Sequence, residues 1–171
     1  MTKNIVIIGM PGVGKTSVAE AVAVKLGRPC IDIDTEIIKK HGDIPKIFEQ
    51  QGEKAFRAYE KGAVIQAAKE EAVVIATGGG SLLDPENTAA LQRTGTLYWI
   101  TRPLEELATD GRPLSKGGIE TLRKLYRERK PIYQAAAHHI VKNTTVEEAA
   151  CAILALEKLQ NNKKYTPAIE L

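Results

Sequence analysis

The run Gly9-Met10-Pro11-Gly12-Val13-Gly14-Lys15-Thr16 has the spacing G-x-x-x-x-G-K-[ST]. Those residue types bind the phosphates of a nucleotide. The glycines let the backbone curl so that successive N–H groups face one anion. A helix N-terminus behind the loop adds partial positive charge. Lys15 is suited to reach the β- and γ-phosphates, and Thr16 to offer a hydroxyl to magnesium. Gly12, Val13, Gly14, Lys15, Thr16 and Ser17 are therefore the expected phosphate-binding set. The bland alternative is a glycine-rich turn that binds nothing. The flanks oppose it: Ile5-Val6-Ile7-Ile8 reads as a buried strand, and Ser17–Leu26 has helical spacing ending at Gly27.

Three other sites could do chemistry with such a loop. Asp32 and Asp34 close the stretch Pro29–Asp34, which reads as a second strand. On a strand they would share a face, one for magnesium and one for a substrate hydroxyl. The alternative is that Asp34 only caps a helix starting near Thr35. Arg57 has Glu53 four residues before it and Glu60 three after it. That spacing suits either a solvated surface pair or a guanidinium held still to meet a carboxylate. Thr77-Gly78-Gly79-Gly80 follows the apolar run Val73–Ala76, where a flexible linker makes no sense. A backbone that lets a ligand approach closely explains it better.

These residues need elements to position them. Beyond the first two strands, the pattern predicts helices over Thr35–His41, Asp43–Gln51 and Glu53–Ala72, with Gly52 between the last two. Strands follow at 73–76, 97–100 and 138–141, and helices at 84–92, 103–109, 119–129 and 146–159. Pro131 is expected to break the helix before it. Strands alternating with helices make an α/β, three-layer P-loop fold: a five-stranded parallel sheet with helices on both faces and a short lid. Ligands of such sheets bind at the carboxyl ends of the strands, where all these motifs fall. One domain is expected over residues 1–160, with the lid at about 110–118 and a frayed tail at 161–171.

Composition narrows the class. A net charge of +3 over 171 residues, without a basic cluster, argues against nucleic acid as a partner. No apolar run approaches a membrane span and no signal peptide is visible, so a cytoplasmic location is expected, with a monomer as the default. Cys30 and Cys151 are too few for a disulfide framework and read as small buried residues. His41, His138 and His139 lack the spacing of a transition-metal site. Tyr126 and Tyr133 read as core packing.

Taken together, the motifs resemble those of shikimate kinases, small members of the nucleoside-monophosphate-kinase-like group. The likeness rests on the loop at 9–16, Asp32-Ile33-Asp34, Ile47-Phe48, Gly52-Glu53 with Phe56-Arg57, Gly78-Gly79-Gly80, Gly111-Arg112-Pro113-Leu114, and Arg129-Lys130-Pro131-Ile132-Tyr133. The resemblance implies ATP-dependent phosphorylation of the 3-hydroxyl of shikimate, with ATP and Mg2+ as cofactors. By the same likeness Thr16 and Asp32 are the magnesium residues, and Lys15 and Arg112 the cations around the transferred phosphoryl group. Asp34, Arg57, Gly78, Gly79, Gly80 and Arg129 form the shikimate-binding set, and Lys15, Asp34 and Arg112 the catalytic one. Four features depart from the pattern: a single Gly111 separates Asp110 from Arg112, Ser115 stands where a second leucine is usual, and two stretches differ further. Leu107-Ala108-Thr109-Asp110 lacks the arginine that would lie against adenine, and Val141-Lys142-Asn143-Thr144 replaces a more usual aspartate and threonine. Another small-molecule kinase of the same fold, acting on gluconate or a nucleotide, is the nearer alternative. A nucleotide-binding protein with little turnover is the more distant one.

Overall fold

The computed structural model describes residues 2–108 and 118–164. Its elements run β1 (Asn4–Ile8), α1 (Lys15–Leu26), β2 (Cys30–Asp32), α2 (Ile33–His41), α3 (Ile44–Lys69), β3 (Val74–Ala76), a 3-10 turn (Ser81–Leu83), α4 (Pro85–Thr94), β4 (Gly95–Thr101), α5 (Leu104–Ala108), α6 (Gly118–Ala136), β5 (His139–Lys142) and α7 (Val146–Lys164). The five strands form one sheet in the order β2-β3-β1-β4-β5, and every pairing is parallel.

The hydrophobic pattern explains this architecture. Ile5 to Ile8 are fully buried, as a central strand covered on both faces must be. From β1 the chain passes over β3 to reach β2, then travels the opposite way through β3, β4 and β5. Right-handed crossovers therefore put α1 on one face and α3, α4 and α6 on the other. Accordingly α1 packs against α7, and α3 against α4. Asn4 is a buried polar residue at the start of β1. Its amide is satisfied on both sides, donating to the Glu70 carbonyl at 2.8 Å and accepting from Val73 N at 3.1 Å. No helix among the described residues is long and apolar enough to cross a membrane.

Five expectations change. The second strand stops at Asp32, and α2 begins at Ile33 rather than Thr35. Asp32 itself caps it, accepting from Thr35 N at 2.8 Å, while Ile33 and Ile37, one turn apart, are buried below. Pro131 does not end α6, which continues to Ala136. Burying Leu122, Tyr133 and Ala136 on one helix outweighs the roughly 3 kcal/mol that an interior proline costs. Helix α7 reaches Lys164, so residues 161–164 are helical rather than frayed, and Gly118 belongs to α6 rather than to a lid. Cys30 and Cys151 are exposed, not buried. The expected break at Gly52 holds: its φ of 85° interrupts α3 and separates the two helical segments.

Candidate active site

The donor half is built where β1 runs into α1. Gly14 caps the helix in the left-handed conformation, φ 95°, a backbone that L side chains resist. The loop is thereby closed over the helix N-terminus. Lys15 is 8% exposed, and its ammonium donates to the carbonyls of Gly9 at 3.0 Å and Met10 at 2.8 Å. Those two bonds hold the charge against the loop it serves. Thr16 donates its hydroxyl to Asp32 Oδ2 at 2.6 Å. The other oxygen of Asp32 caps α2, so one carboxylate both starts a helix and meets the loop. A hydroxyl and a carboxylate oxygen side by side suit a hard cation. Among the described residues no cluster of three or more metal-binding side chains exists. A threonine hydroxyl and a carboxylate oxygen are hard donors of the kind magnesium takes from protein, the rest of its shell coming from phosphates and water.

The acceptor half gathers around the triple glycine after β3. Glu60 is 2% exposed. It accepts from Arg57 Nη1 at 2.7 Å and from Ser81 Oγ at 2.9 Å. Glu53 stands 3.5 Å from Arg57 Nε, and the guanidinium lies 5.2 Å from the centre of the Phe56 ring. Arg57 is thus gripped on three sides. Asp34, in the first turn of α2, opens onto the cleft. Its enclosed setting raises its pKa above the ordinary carboxylate value, and the charges of Asp32 and Glu60 push the same way; Lys15 and Arg57 oppose them.

The three glycines are needed for space, each against a different neighbour. A Cβ on Gly78 would stand 2.9 Å from Glu60 Oε2 and 3.0 Å from Asp34 Oδ1. On Gly79 it would stand 2.5 Å from Pro11 Cγ of the phosphate loop, and on Gly80 2.5 Å from Arg57 Nη1. The sequence reading expected room for a ligand; the structure shows close packing by the protein itself. Tyr133 fixes the same loop, donating its hydroxyl to the Gly79 carbonyl at 2.6 Å. Burial pushes that hydroxyl's pKa up to about 12, so it stays a donor. Arg129, one turn earlier on α6, is close enough to act on the Tyr133 hydroxyl.

Both halves meet in a cleft of about 940 Å3 lined by Pro11, Lys15, Thr16, Asp34, Phe48 and Gly79, among others. A smaller hollow of about 400 Å3 opens at the other edge of the sheet, beside Asn4 at the start of β1, and contains none of these groups. The cleft has phosphate-loop residues on one wall and Asp34 on the other, the layout of a phosphoryl transferase with a small acceptor.

A profile of the family described as shikimate kinase matches residues 11–160. The chain belongs to the shikimate kinase family. A shikimate kinase of Nitrosomonas europaea is 37% identical, over 96% of this chain and 82% of that protein. The structure of a shikimate kinase from Acinetobacter baumannii in complex with shikimate superposes with a TM-score of 0.87 and 33% identity, covering 94% of this chain and 95% of that one. A gluconokinase from Sinorhizobium meliloti reaches a TM-score of only 0.60 at 17% identity, covering 95% of this chain and 98% of that one, and shares the fold alone. The family reading therefore prevails over the gluconate-type alternative. ATP is the family's phosphoryl donor and an alcohol its acceptor.

The structure changes several of the reasons for which the sequence grouped these residues. Asp32 and Asp34 do not lie on one strand face; one caps α2 and the other rides its first turn. Arg57 is not a surface pair, because its partner Glu60 is buried. The clustering of Lys15, Thr16, Asp32, Asp34, Arg57, Gly78, Gly79 and Gly80 is direct, and Arg129 joins it through Tyr133. Arg112, Asp110 and the rest of 109–117 lie outside the described residues. Ser81, Pro11 and Tyr133 were missed as parts of the site. Tyr133 had a signal: Arg129 and Tyr133 are four apart, one face of a helix, but the expected break at Pro131 hid it.

Proposed function

We propose that the chain transfers the γ-phosphoryl group of ATP to the 3-hydroxyl of shikimate. The observation that carries this reading is that Lys15 and Asp34 line one cleft, with the Arg57 guanidinium, clamped by buried Glu60, near enough to act on Asp34. Shikimate is a small carboxylate with three hydroxyls. Arg57 and Arg129 meet the carboxylate, and the N–H groups of the Gly78–Gly80 loop flank the ring. Asp34 accepts a hydrogen bond from the attacking hydroxyl and is placed to take its proton. Gly12 to Ser17 cradle the phosphates, and Lys15 stabilises the charge that grows on them during transfer, a reaction that needs positioning and positive charge more than covalent help. Thr16 and Asp32 would hold Mg2+, which neutralises phosphate charge when bound. Arg112 would add a further cation there, by its place in the sequence motif. The reading requires only the two small-molecule substrates. It carries with it a monomeric, cytoplasmic protein without a nucleic-acid partner.

The test is ADP release with shikimate, gluconate and nucleoside monophosphates offered separately, for the wild type and Asp34→Asn. Turnover should depend on shikimate. Asp34→Asn keeps shape and hydrogen bonding but loses the base, so kcat should drop by about 10²-fold or more with a smaller change in shikimate affinity. Turnover with gluconate but not shikimate would sink the assignment. Undiminished turnover in Asp34→Asn would remove Asp34 from the chemistry.

A further inference from the structure

Asn143 lies just beyond β5 and is 5% exposed. Its Nδ2 donates to the Val13 carbonyl at 2.8 Å, joining residues 130 positions apart. The acceptor is a carbonyl, so the amide must present its nitrogen there. The Val13 carbonyl and the Gly14 N–H share one planar trans peptide and point in opposite directions. With the carbonyl held on Asn143, the Gly14 N–H points away from Asn143, and Gly14 lines the cleft. The contact is closely fitted. A Cβ on Gly14 would stand 2.7 Å from Asn143 Nδ2, so a side chain at 14 and the amide at 143 exclude each other. The amide is also rigidly backed. Asn143 N donates to the Thr101 carbonyl at the end of β4 at 2.8 Å, and past it Glu147 on α7 pairs with Lys25 on α1 at 2.6 Å.

The other half of the amide shows that packing alone does not explain it. Asn143 Oδ1 is buried and has no partner among the described residues. A buried orphan acceptor weakens the fold, and an apolar side chain would fill the space without that penalty. What an amide supplies and an apolar group does not is the donor aimed at Val13. We infer that Asn143 is a positioning residue for the phosphate loop, setting the Val13–Gly14 peptide so that the Gly14 N–H faces the polyphosphate of the nucleotide. This rests on the loop being the ATP site proposed above.

The experiment compares full-length wild type with Asn143→Ala, Asn143→Asp and Asn143→Thr. Steady-state kinetics are run with each substrate varied, and calorimetry uses ADP and, separately, inorganic tripolyphosphate. In Asn143→Ala, KM for ATP should rise about five- to ten-fold, the loss of one hydrogen bond. KM for shikimate should stay within about two-fold, the effect of the lost bond being confined to the donor loop. ADP and tripolyphosphate should weaken by the same factor. Asn143→Asp, which sets a carboxylate against a carbonyl, should be worse. Asn143→Thr, which restores a donor on a side chain one bond shorter, should recover part of the loss. A melting temperature that falls while both KM values hold would make Asn143 merely structural and overturn the inference. Weaker ADP binding with unchanged tripolyphosphate binding would place its effect on the base or ribose and overturn it equally. Should Asn143→Ala not fold, the opposite responses of the Asp and Thr variants carry the same decision. If the wild type fails to phosphorylate shikimate, the function assigned above fails, and the tripolyphosphate arm still reads the loop.

Discussion

Glu60 has two tasks that a single substitution of Arg57 would confound. It is a buried carboxylate whose charge is met by Arg57 at 2.7 Å, with Ser81 on its second oxygen. Removing the guanidinium takes away the cation proposed for the substrate's carboxylate and also strands a charge in the interior. Breaking a fully buried pair costs about 3–5 kcal/mol; Arg57 keeps 29% of its side chain exposed, so roughly 2–3 kcal/mol is expected here. Arg57→Ala should therefore lose both stability and shikimate affinity. Adding Glu60→Gln removes the stranded charge. The double variant should regain much of the stability in urea denaturation but none of the shikimate affinity in calorimetry. Recovery of both would mean that Arg57 supports the pocket without touching the substrate. A loss of ATP affinity matching that for shikimate would assign the pair to the whole site rather than its acceptor half.

At the scale of elements, the loop after β3 is the joint between the two halves. Gly80 has φ −104° and ψ 3°, within reach of other residues, so its requirement is spatial. Ala at Gly80 pushes on the end of the Arg57 side chain, which can shift. Ala at Gly79 pushes on the ring and backbone nitrogen of Pro11, which cannot. Gly80→Ala should raise KM for shikimate alone, by about ten-fold, the effect of one displaced charge-assisted contact. Gly79→Ala should raise KM for both substrates, because it wedges the acceptor loop away from the phosphate loop. Steady-state kinetics with each substrate varied would separate the two, and identical profiles would refute the division of labour among the glycines.

A second joint ties β4 to the segment before β5. His138 Nδ1 accepts from Leu97 N at 2.9 Å, and His138 N donates back to the Leu97 carbonyl at 2.9 Å. Partial burial lowers the His138 pKa below 6.5, assisted by Lys3 and His139. The folded state thus favours the neutral ring, which it uses as an acceptor. The unfolded chain takes up its proton first as pH falls, so this contribution is complete above pH 6.5 and is lost on descending through the lower, folded value. Thermal melts should show a stability decline beginning near pH 6.5 that His138→Gln reduces. An unchanged slope in the variant would shift the cause to other groups.

These joints mark the limit of what the sequence displayed. The phosphate loop was legible because its spacing and flanking elements are local. Arg57 with Glu60 was legible as a spacing, but burial decides whether such a pair matters, and burial is tertiary. The short strand at 30–32 was overread because Ile33 and Ile37 serve a helix face as readily as a strand face, and the cap at Asp32 settles it. Pro131 misled because local propensity yields to a well-packed face. The Tyr133–Gly79 and Asn143–Val13 bonds join distant stretches of chain, and no periodicity encodes them.

For the whole molecule, strand order lays the reaction along one edge of the sheet. The acceptor residues follow β2 and β3, the phosphate loop follows central β1, and Thr101 and Asn143 close the far side at β4 and β5. The two halves touch where Asp32, the cap of α2, meets Thr16 and where Gly79 meets Pro11. Ligands that bind only the folded state raise its stability by mass action, about 2.7 kcal/mol at one hundred times Kd. For a chain of this size that is a rise in melting temperature on the order of 5–10 °C. Shikimate and ADP should each produce such a rise in the wild type. Arg129, on α6, acts on the Tyr133 hydroxyl that holds the Gly79 carbonyl, so Arg129→Ala should abolish the shikimate rise and leave that from ADP nearly intact. Asn143→Ala should do the reverse, shrinking the ADP rise alone. Melting curves of the two variants with each ligand give four shifts, and the pattern of loss should follow the strand order. If Arg129→Ala lost both rises, α6 would be supporting the entire site through Tyr133 and the triple glycine, and the separation of donor and acceptor halves along the sheet would be wrong.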